Sequence, residues 1–178
     1  MIIIYVSSDA SKIEVDRALS LGSRIGVSPG GIAEMFVPLN HPNDEYALLS
    51  NRKGIIRMSI KHGVPIVPIF VFGGSKTFHR LGLPSFFEYL SNMLRISLCF
   101  FYGKWGLPIP FRTKLLYVIG APLFPATSLT EDGQDTTKRI ASTNQVDALH
   151  RMFCDRILDL FDRHKFAYGW ENKHLNII

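Results

Sequence analysis

An α/β fold, built as a single mixed sheet with flanking helices, is what this sequence predicts on three observations. Val64 to Phe72 is an apolar run of strand length, apolar on both alternating faces, as in a strand covered by helices on each side. Val146, Leu149, Phe153, Ile157, Leu160 and Phe161 recur at helical spacing, with Asp155, Arg156, Asp159 and Arg163 on the wet side. Turn chemistry separates such segments, so strands and helices alternate along the chain. With 178 residues and 47% apolar content, the chain can bury a core as one domain, residues 1–178.

Taken in order, Met1-Ile2-Ile3-Ile4-Tyr5-Val6 reads as a buried strand, since it is too short for the apolar region of a signal peptide and has no basic lead. Ser11 and Glu14 have capping-box spacing and start a helix through Ala18 and Leu19 that stops at Gly22. Arg24 to Ser28 then returns as a short strand into the turn at Pro29-Gly30-Gly31. Pro38, Asn40, Pro42 and Asn43 make a loop of Phe36 to Asp44. A second helix starts near Asn51, ends at His62 and buries Ile55, Ile56, Ser59 and Ile60, with Gly63 as its left-handed stop. Pro65 and Pro68 would interrupt a central ladder, which places them at the strand's entry or on a side where no N–H is required. Leu115 to Ile119 is a further strand, Thr127 to Thr143 a polar linker, and Asn144 and Asp147 open a last helix that ends near His164-Lys165.

A net charge of +5 and a pI near 9.3 favour anionic partners: a phospholipid surface, a nucleotide-bearing cofactor or nucleic acid. No arginine–glycine tract, zinc-ligand spacing or ribonucleoprotein motif promotes nucleic acid, so none is expected. Cys99 and Cys154 stand in apolar or helical contexts and read as reduced core thiols, which suits a cytosol-facing chain. No stretch reaches the ~18 to 20 apolar residues that span a bilayer. From Phe78 to Phe111 aromatic residues alternate with Lys and Arg. Two readings stand: a membrane–water boundary, with Phe101, Lys104 and Trp105 at the interface, or a helix pair whose core these rings fill.

Two stretches carry site chemistry. The adjacent Gly30 and Gly31 let the backbone approach a ligand closely and turn their N–H groups toward an anion or a developing oxyanion, with the Glu34 carboxylate just beyond. Arg52, Lys53 and Arg57 lie at or near a helix N-terminus, where the free N–H groups already favour phosphate. A cation there opposes the helix dipole, which makes ligand contact a better reason for it than stability.

The order Pro29-Gly30-Gly31-Ile32-Ala33-Glu34, Asn51-Arg52-Lys53-Gly54-Ile55, Val64 to Gly73, Phe100 to Gly106, Val118 to Leu123 and His164 to Gly169 resembles the diacylglycerol O-acyltransferase type 2 family, within the wider glycerolipid acyltransferase superfamily. The resemblance implies a glycerolipid-acyltransferase-like fold and transfer of a fatty acyl group from acyl-CoA to diacylglycerol, giving triacylglycerol. Monoacylglycerol and long-chain alcohols remain open as acceptors, because a hydrophobic pocket discriminates weakly between such chains. It further implies no cofactor apart from acyl-CoA as co-substrate, no metal, a location on the cytosolic face of the endoplasmic reticulum membrane or on lipid droplets, and compatibility with a homo-oligomer. Under it Gly30, Gly31 and Glu34 serve the oxyanion or the acceptor, and Arg52, Lys53 and Arg57 the acyl-CoA phosphates.

One family block has no counterpart here. The His-Pro-His-Gly that precedes the glycine turn in the family is missing, and His41-Pro42-Asn43-Asp44 lies after the turn. His150 and Asp155 have the superfamily's spacing, but five positions on a helix turn the two side chains apart, and both read as solvated. His62 reads as a helix-end residue, His164 as a structural hydrogen bonder, and His79 as a headgroup contact or an incidental surface residue. The catalytic residue is therefore unknown. The expectation is an N-terminally incomplete chain, the C-terminal portion of a larger catalytic domain, with a non-catalytic relative that binds acyl-CoA or membrane lipid as the alternative.

Overall fold

The computed structural model describes residues 12–30, 43–80, 101–126 and 142–178. It is mixed α/β. Three α-helices, α1 (Lys12–Ser20), α2 (Gly54–His62) and α3 (Thr143–Tyr168), accompany six short strands: β1 (Asp44–Ala47), β2 (Ile69–Phe72), β3 (His79–Arg80), β4 (Phe101–Tyr102), β5 (Leu116–Ile119) and β6 (His174–Ile177).

In place of one mixed sheet, the described residues form three two-stranded ladders: β1 with β6 in parallel, and β2 with β5 and β3 with β4 antiparallel. An isolated bridge between Ile66 and Leu123 extends the β2–β5 ribbon toward its entry. Pro65 and Pro68 precede β2, so neither breaks its ladder, and the Pro68 carbonyl accepts from the Gly120 N–H at 2.8 Å. The expectation of a strand covered on both sides is corrected. Ile66, Pro68 and Phe72 are buried, whereas Val67 is 44% and Ile69 46% exposed, because α3 packs on one face of the ribbon and leaves the other to solvent. Residues 23–28 are irregular rather than a strand.

The spine is α3. Gln145 Oε1 accepts from the Ser142 N–H at 3.3 Å at its start, and Gly169, at φ 80°, ends it in the left-handed conformation. At ~1.5 Å per residue its 26 residues reach across both core clusters. Val146, Leu149, Phe153 and Ile157 pack with Ile56 and Ile60 of α2, Ala47 of β1, and Ile66 and Leu123 of the bridge. Leu160 and Phe161 join Phe72, Val118 and Trp170 in the second cluster. There Phe72 is fully buried, stacked on Phe161 at 5.4 Å and edge-on to Trp170 at 5.6 Å. The helix runs through Tyr168, one turn past the expected end.

Helix α2 ends as expected, with Gly63 at φ 64° closing it, but it begins at Gly54 rather than near Asn51; Ile56, Ser59 and Ile60 are buried together with Met58, and Ile55 is half-buried. Helix α1 ends at Ser20, with Gly22 at φ 72° just beyond. It is fastened to α2 by Asp16, which accepts from Lys61 at 2.6 Å and pairs with His62 Nε2 at 2.7 Å. The β1–β6 ladder is reinforced by the buried Glu45, whose Oε1 accepts from Lys173 and from Ser75 at 3.1 Å. The expected strand at Met1 to Val6, Cys99, and nearly all of the Phe36 to Asp44 loop and the Thr127 to Thr143 linker lie outside the described residues.

Candidate functional site

The cationic start of α2 is built by a turn and an ion pair. Leu49 is buried, and its carbonyl accepts from the Arg52 N–H at 2.9 Å, which brings the chain round to Lys53 at the N-cap. Lys53 carries no side-chain cap, and the first turn of α2 holds no acidic residue, so its N–H groups lack the usual carboxylate. The Lys53 side chain reaches α3 instead, where Asp147 Oδ1 accepts from its Nζ at 2.8 Å. That ammonium, first by its hydrogen bond, lowers the Asp147 carboxyl from its usual range.

Arg52 and Arg57 are both exposed, and neither forms an ion pair with any described residue. The structure therefore divides the three cations. Lys53 ties the starts of two helices together, and the two arginines present free guanidinium groups beside them. Guanidinium forks suit phosphate oxygens in bidentate geometry. Gly30 is buried at the end of its described segment, and Gly31 and Glu34 lie outside the described residues.

The histidines are largely engaged. His150 corrects the solvated reading: it is 9% exposed, and its Nε2 donates to the Leu49 carbonyl at 2.9 Å. Its position four residues after Val146 places it on the buried face of α3, a signal the sequence carries. Asp155 is exposed, so the pair diverges as the spacing requires. His164 Nδ1 lies 2.9 Å from the Leu160 carbonyl within the helix, and His62 joins α2 to α1. His79 is exposed and edge-on to Phe111 at 5.0 Å. Cys154 is a free thiol 3.8 Å from His150 Nε2. Burial, then the charge of Asp155, pushes it up from the ordinary thiol value, which keeps it protonated and a poor nucleophile.

A third feature is the tight turn at Lys104–Gly106. Trp105 is the one non-glycine residue at positive φ among the described residues, at φ 60°, and it is 77% exposed. Lys104 Nζ sits 4.4 Å above its ring. The turn is clamped from beneath: the Gly103 N–H donates to Leu107 and the Lys104 N–H to Ile109, each at 2.8 Å. Leu107 and Ile109 are 50% and 41% exposed beside it. A strained backbone thus holds an indole outward next to two aliphatic residues and a cation, the composition of a membrane-interface contact. For Phe101 the structure describes the backbone, in β4.

No helix among the described residues is long and apolar enough to cross a membrane. No group of His, Cys, Asp and Glu among them has the makings of a metal site.

The family model described as diacylglycerol acyltransferase matches residues 2–178. Among curated proteins, the chain is 30% identical to bovine diacylglycerol O-acyltransferase 2-like protein 6, over 88% of this chain and 48% of that protein. It is 29% identical to human acyl-CoA wax alcohol acyltransferase 2, over 88% and 47%, and 25% identical to human diacylglycerol O-acyltransferase 2, over 89% and 42%. The chain spans about half the length of these relatives. No solved structure matches.

Proposed function

Because this chain belongs to the diacylglycerol acyltransferase family, we propose that it serves an acyl-CoA-dependent O-acyltransferase of neutral lipid synthesis, with diacylglycerol as acceptor and triacylglycerol as product. The observation that carries the proposal is the family match across residues 2–178. Relatives named for wax alcohol and for diacylglycerol both match, and diacylglycerol is the acceptor put forward here.

In the reaction, the acceptor hydroxyl oxygen attacks the thioester carbonyl carbon, the C–S bond breaks, and the hydroxyl proton passes through a general base to the departing thiolate, leaving an ester and free coenzyme A. The Gly30 and Gly31 amides are assigned to the developing oxyanion and Glu34 to orienting the acceptor. Arg52 and Arg57 are assigned to acyl-CoA phosphates, with Lys53 holding their helix in place against Asp147. The Trp105 turn, with Lys104 and Phe101, is assigned to the cytosolic face of the endoplasmic reticulum membrane or a lipid droplet, where the acceptor resides.

A second reading, an acyl-CoA- or lipid-binding relative without turnover, is favoured by the engagement of His62, His150 and His164 with partners inside the protein. Competition assays with acyl-labelled acyl-CoA and equal amounts of diacylglycerol, monoacylglycerol and long-chain alcohol separate the readings. Label chiefly in triacylglycerol is expected. Label chiefly in another ester reassigns the acceptor, and acyl-CoA retained without ester formation supports the second reading.

A further inference from the structure

The ribbon of β2 and β5 has two faces of like composition and unlike surroundings. On one, the cross-strand pairs Phe70–Val118 and Phe72–Leu116 turn to Leu160 and Phe161 of α3. On the other, Ile69 stands opposite Ile119 and Val71 opposite Tyr117. Alternation carries this open face on to Leu115 at one end and, past the Ile66–Leu123 bridge, to Val67 and Phe124 at the other. Six of its side chains, Val67, Ile69, Leu115, Tyr117, Ile119 and Phe124, are between 44% and 70% exposed. Apolar residues at every second position of two paired strands are the pattern of a covered sheet face, and a contiguous exposed patch of them marks an interaction site, which singly scattered apolar residues do not.

The chemistry of the face selects its occupant. No Lys, Arg, Asp, Glu or His stands at any of these positions. Without a cation the face lacks what holds a phospholipid headgroup, in contrast to the Trp105 ring with Lys104 above it. Without any charge it gives a charged protein surface nothing to read. It fits an equally flat, uncharged, apolar sheet face, and a second copy of the chain supplies one by symmetry. Ribbons stacked face to face lie ~10 Å apart with their strands within ~30° of each other. Covering the six side chains removes on the order of 600 Å² from water on each copy, and the ribbon backbone and rim bring this near the ~800 Å² that a standard interface takes from each partner.

We propose that the open face of the β2–β5 ribbon is a two-fold dimer interface, in which two copies of this chain stack ribbon on ribbon with α3 on the outside of each. The Ile69–Ile119 pair lies near the middle of the face, so the two-fold axis passes there and sets each isoleucine close to its counterpart. The interface does not depend on acyl transfer and stands apart from the function proposed above.

The test is sedimentation of the full chain across the micromolar range, for the native protein, Ile69→Lys/Ile119→Lys and the α3 surface control Met152→Lys. All three positions are exposed, so the fold survives the changes, and circular dichroism checks it. A native dimer, with association at least about tenfold weaker in the isoleucine variant and unchanged in the control, supports the interface. A native chain that stays monomeric overturns it, as does a dimer that the isoleucine substitutions leave intact, or assembly without a defined stoichiometry. Flotation with anionic phospholipid vesicles runs in parallel: a monomer whose vesicle binding needs Ile69 and Ile119 overturns the dimer and gives the face to lipid. If the isoleucine variant does not fold, amide exchange of the native chain decides. Protection at residues 69–71 and 117–119 that rises with protein concentration supports the stacking, and protection independent of concentration overturns it.

Discussion

Asp147, in the second turn of α3, holds Lys53 at the N-cap of α2 through a 2.8 Å ion pair, so the two helix starts are joined by a contact spanning 94 positions of sequence. The pair engages Lys53, and under the function proposed above Arg52 and Arg57 are the cations left for acyl-CoA phosphates. Arg52→Glu/Arg57→Glu is expected to raise the apparent KM for acyl-CoA several-fold at low salt and less at high salt, as screening predicts. Lys53→Ala is expected to loosen the start of α2 first, read as faster amide exchange at residues 54–57. An acyl-CoA KM that ignores both arginines removes them from the site.

Acid weakens the same junctions. Asp147 is held below its ordinary range first by its hydrogen bond to Lys53, and Asp16 by its bonds to Lys61 and then His62. A carboxyl depressed in the folded state contributes stability that is complete above its unfolded value and lost as pH falls through the folded one. Both groups are solvent-accessible, so the effect is local and modest. Amide exchange in α1 and at the start of α2 is expected to rise below about pH 4 in the native chain, beyond its intrinsic pH dependence. Asp16→Asn should start from the looser state and lose that dependence in α1. An α1 equally protected at both ends of the range contradicts the linkage.

Phe72 and Gly73 test the second core cluster. Phe72 is fully buried among Phe161, Tyr168 and Trp170, and truncation to Ala is expected to cost about 3–5 kcal/mol. Gly73 sits at φ 87° with the Tyr168 oxygen against it, so Gly73→Ala combines a left-handed penalty of about 1–2 kcal/mol with a steric clash. Denaturant titration reads both. A Gly73→Ala protein as stable as the native one means that Tyr168 does not rest on this backbone.

Trp105 carries the membrane prediction. Its left-handed backbone costs roughly 1–2 kcal/mol, held so that an indole 77% exposed projects beside Leu107 and Ile109. Trp105→Ala is expected to reduce flotation with phospholipid vesicles several-fold without loss of thermal stability, and Trp105→Gly to relieve the strain while losing the same binding. Equal flotation of all three proteins returns the turn to ordinary surface.

Much of the helical framework is legible in the sequence. All six apolar positions chosen for α3 are buried, because a 3.6-residue period survives whatever packs against it. Gly63 stops α2, and the two prolines keep out of the β2 ladder, since backbone chemistry acts locally. The strands are another matter. Asp44–Ala47 carries no alternating apolar pattern and His174–Ile177 alternates over only four residues, and they pair through a register joining segments far apart in the chain, with Glu45 and Lys173, 128 positions apart, as its tie. Such a partnership has no local signal. Arg24 to Ser28 looked like a strand by composition, yet no described strand pairs with it. His150 was readable by its position on the apolar arc, but residue type argued for solvent. At the candidate site the cations fall at a helix start as their sequence suggests; their division into one paired and two free needed Asp147.

The most direct measurement is the stoichiometry of acyl transfer: the protein in lipid vesicles, given labelled acyl-CoA and diacylglycerol, with triacylglycerol and free coenzyme A thiol quantified together. Equimolar appearance of both products, dependent on protein and on diacylglycerol, is the predicted result. Thiol release matched by free fatty acid, or neither product above the protein-free rate, would contradict it.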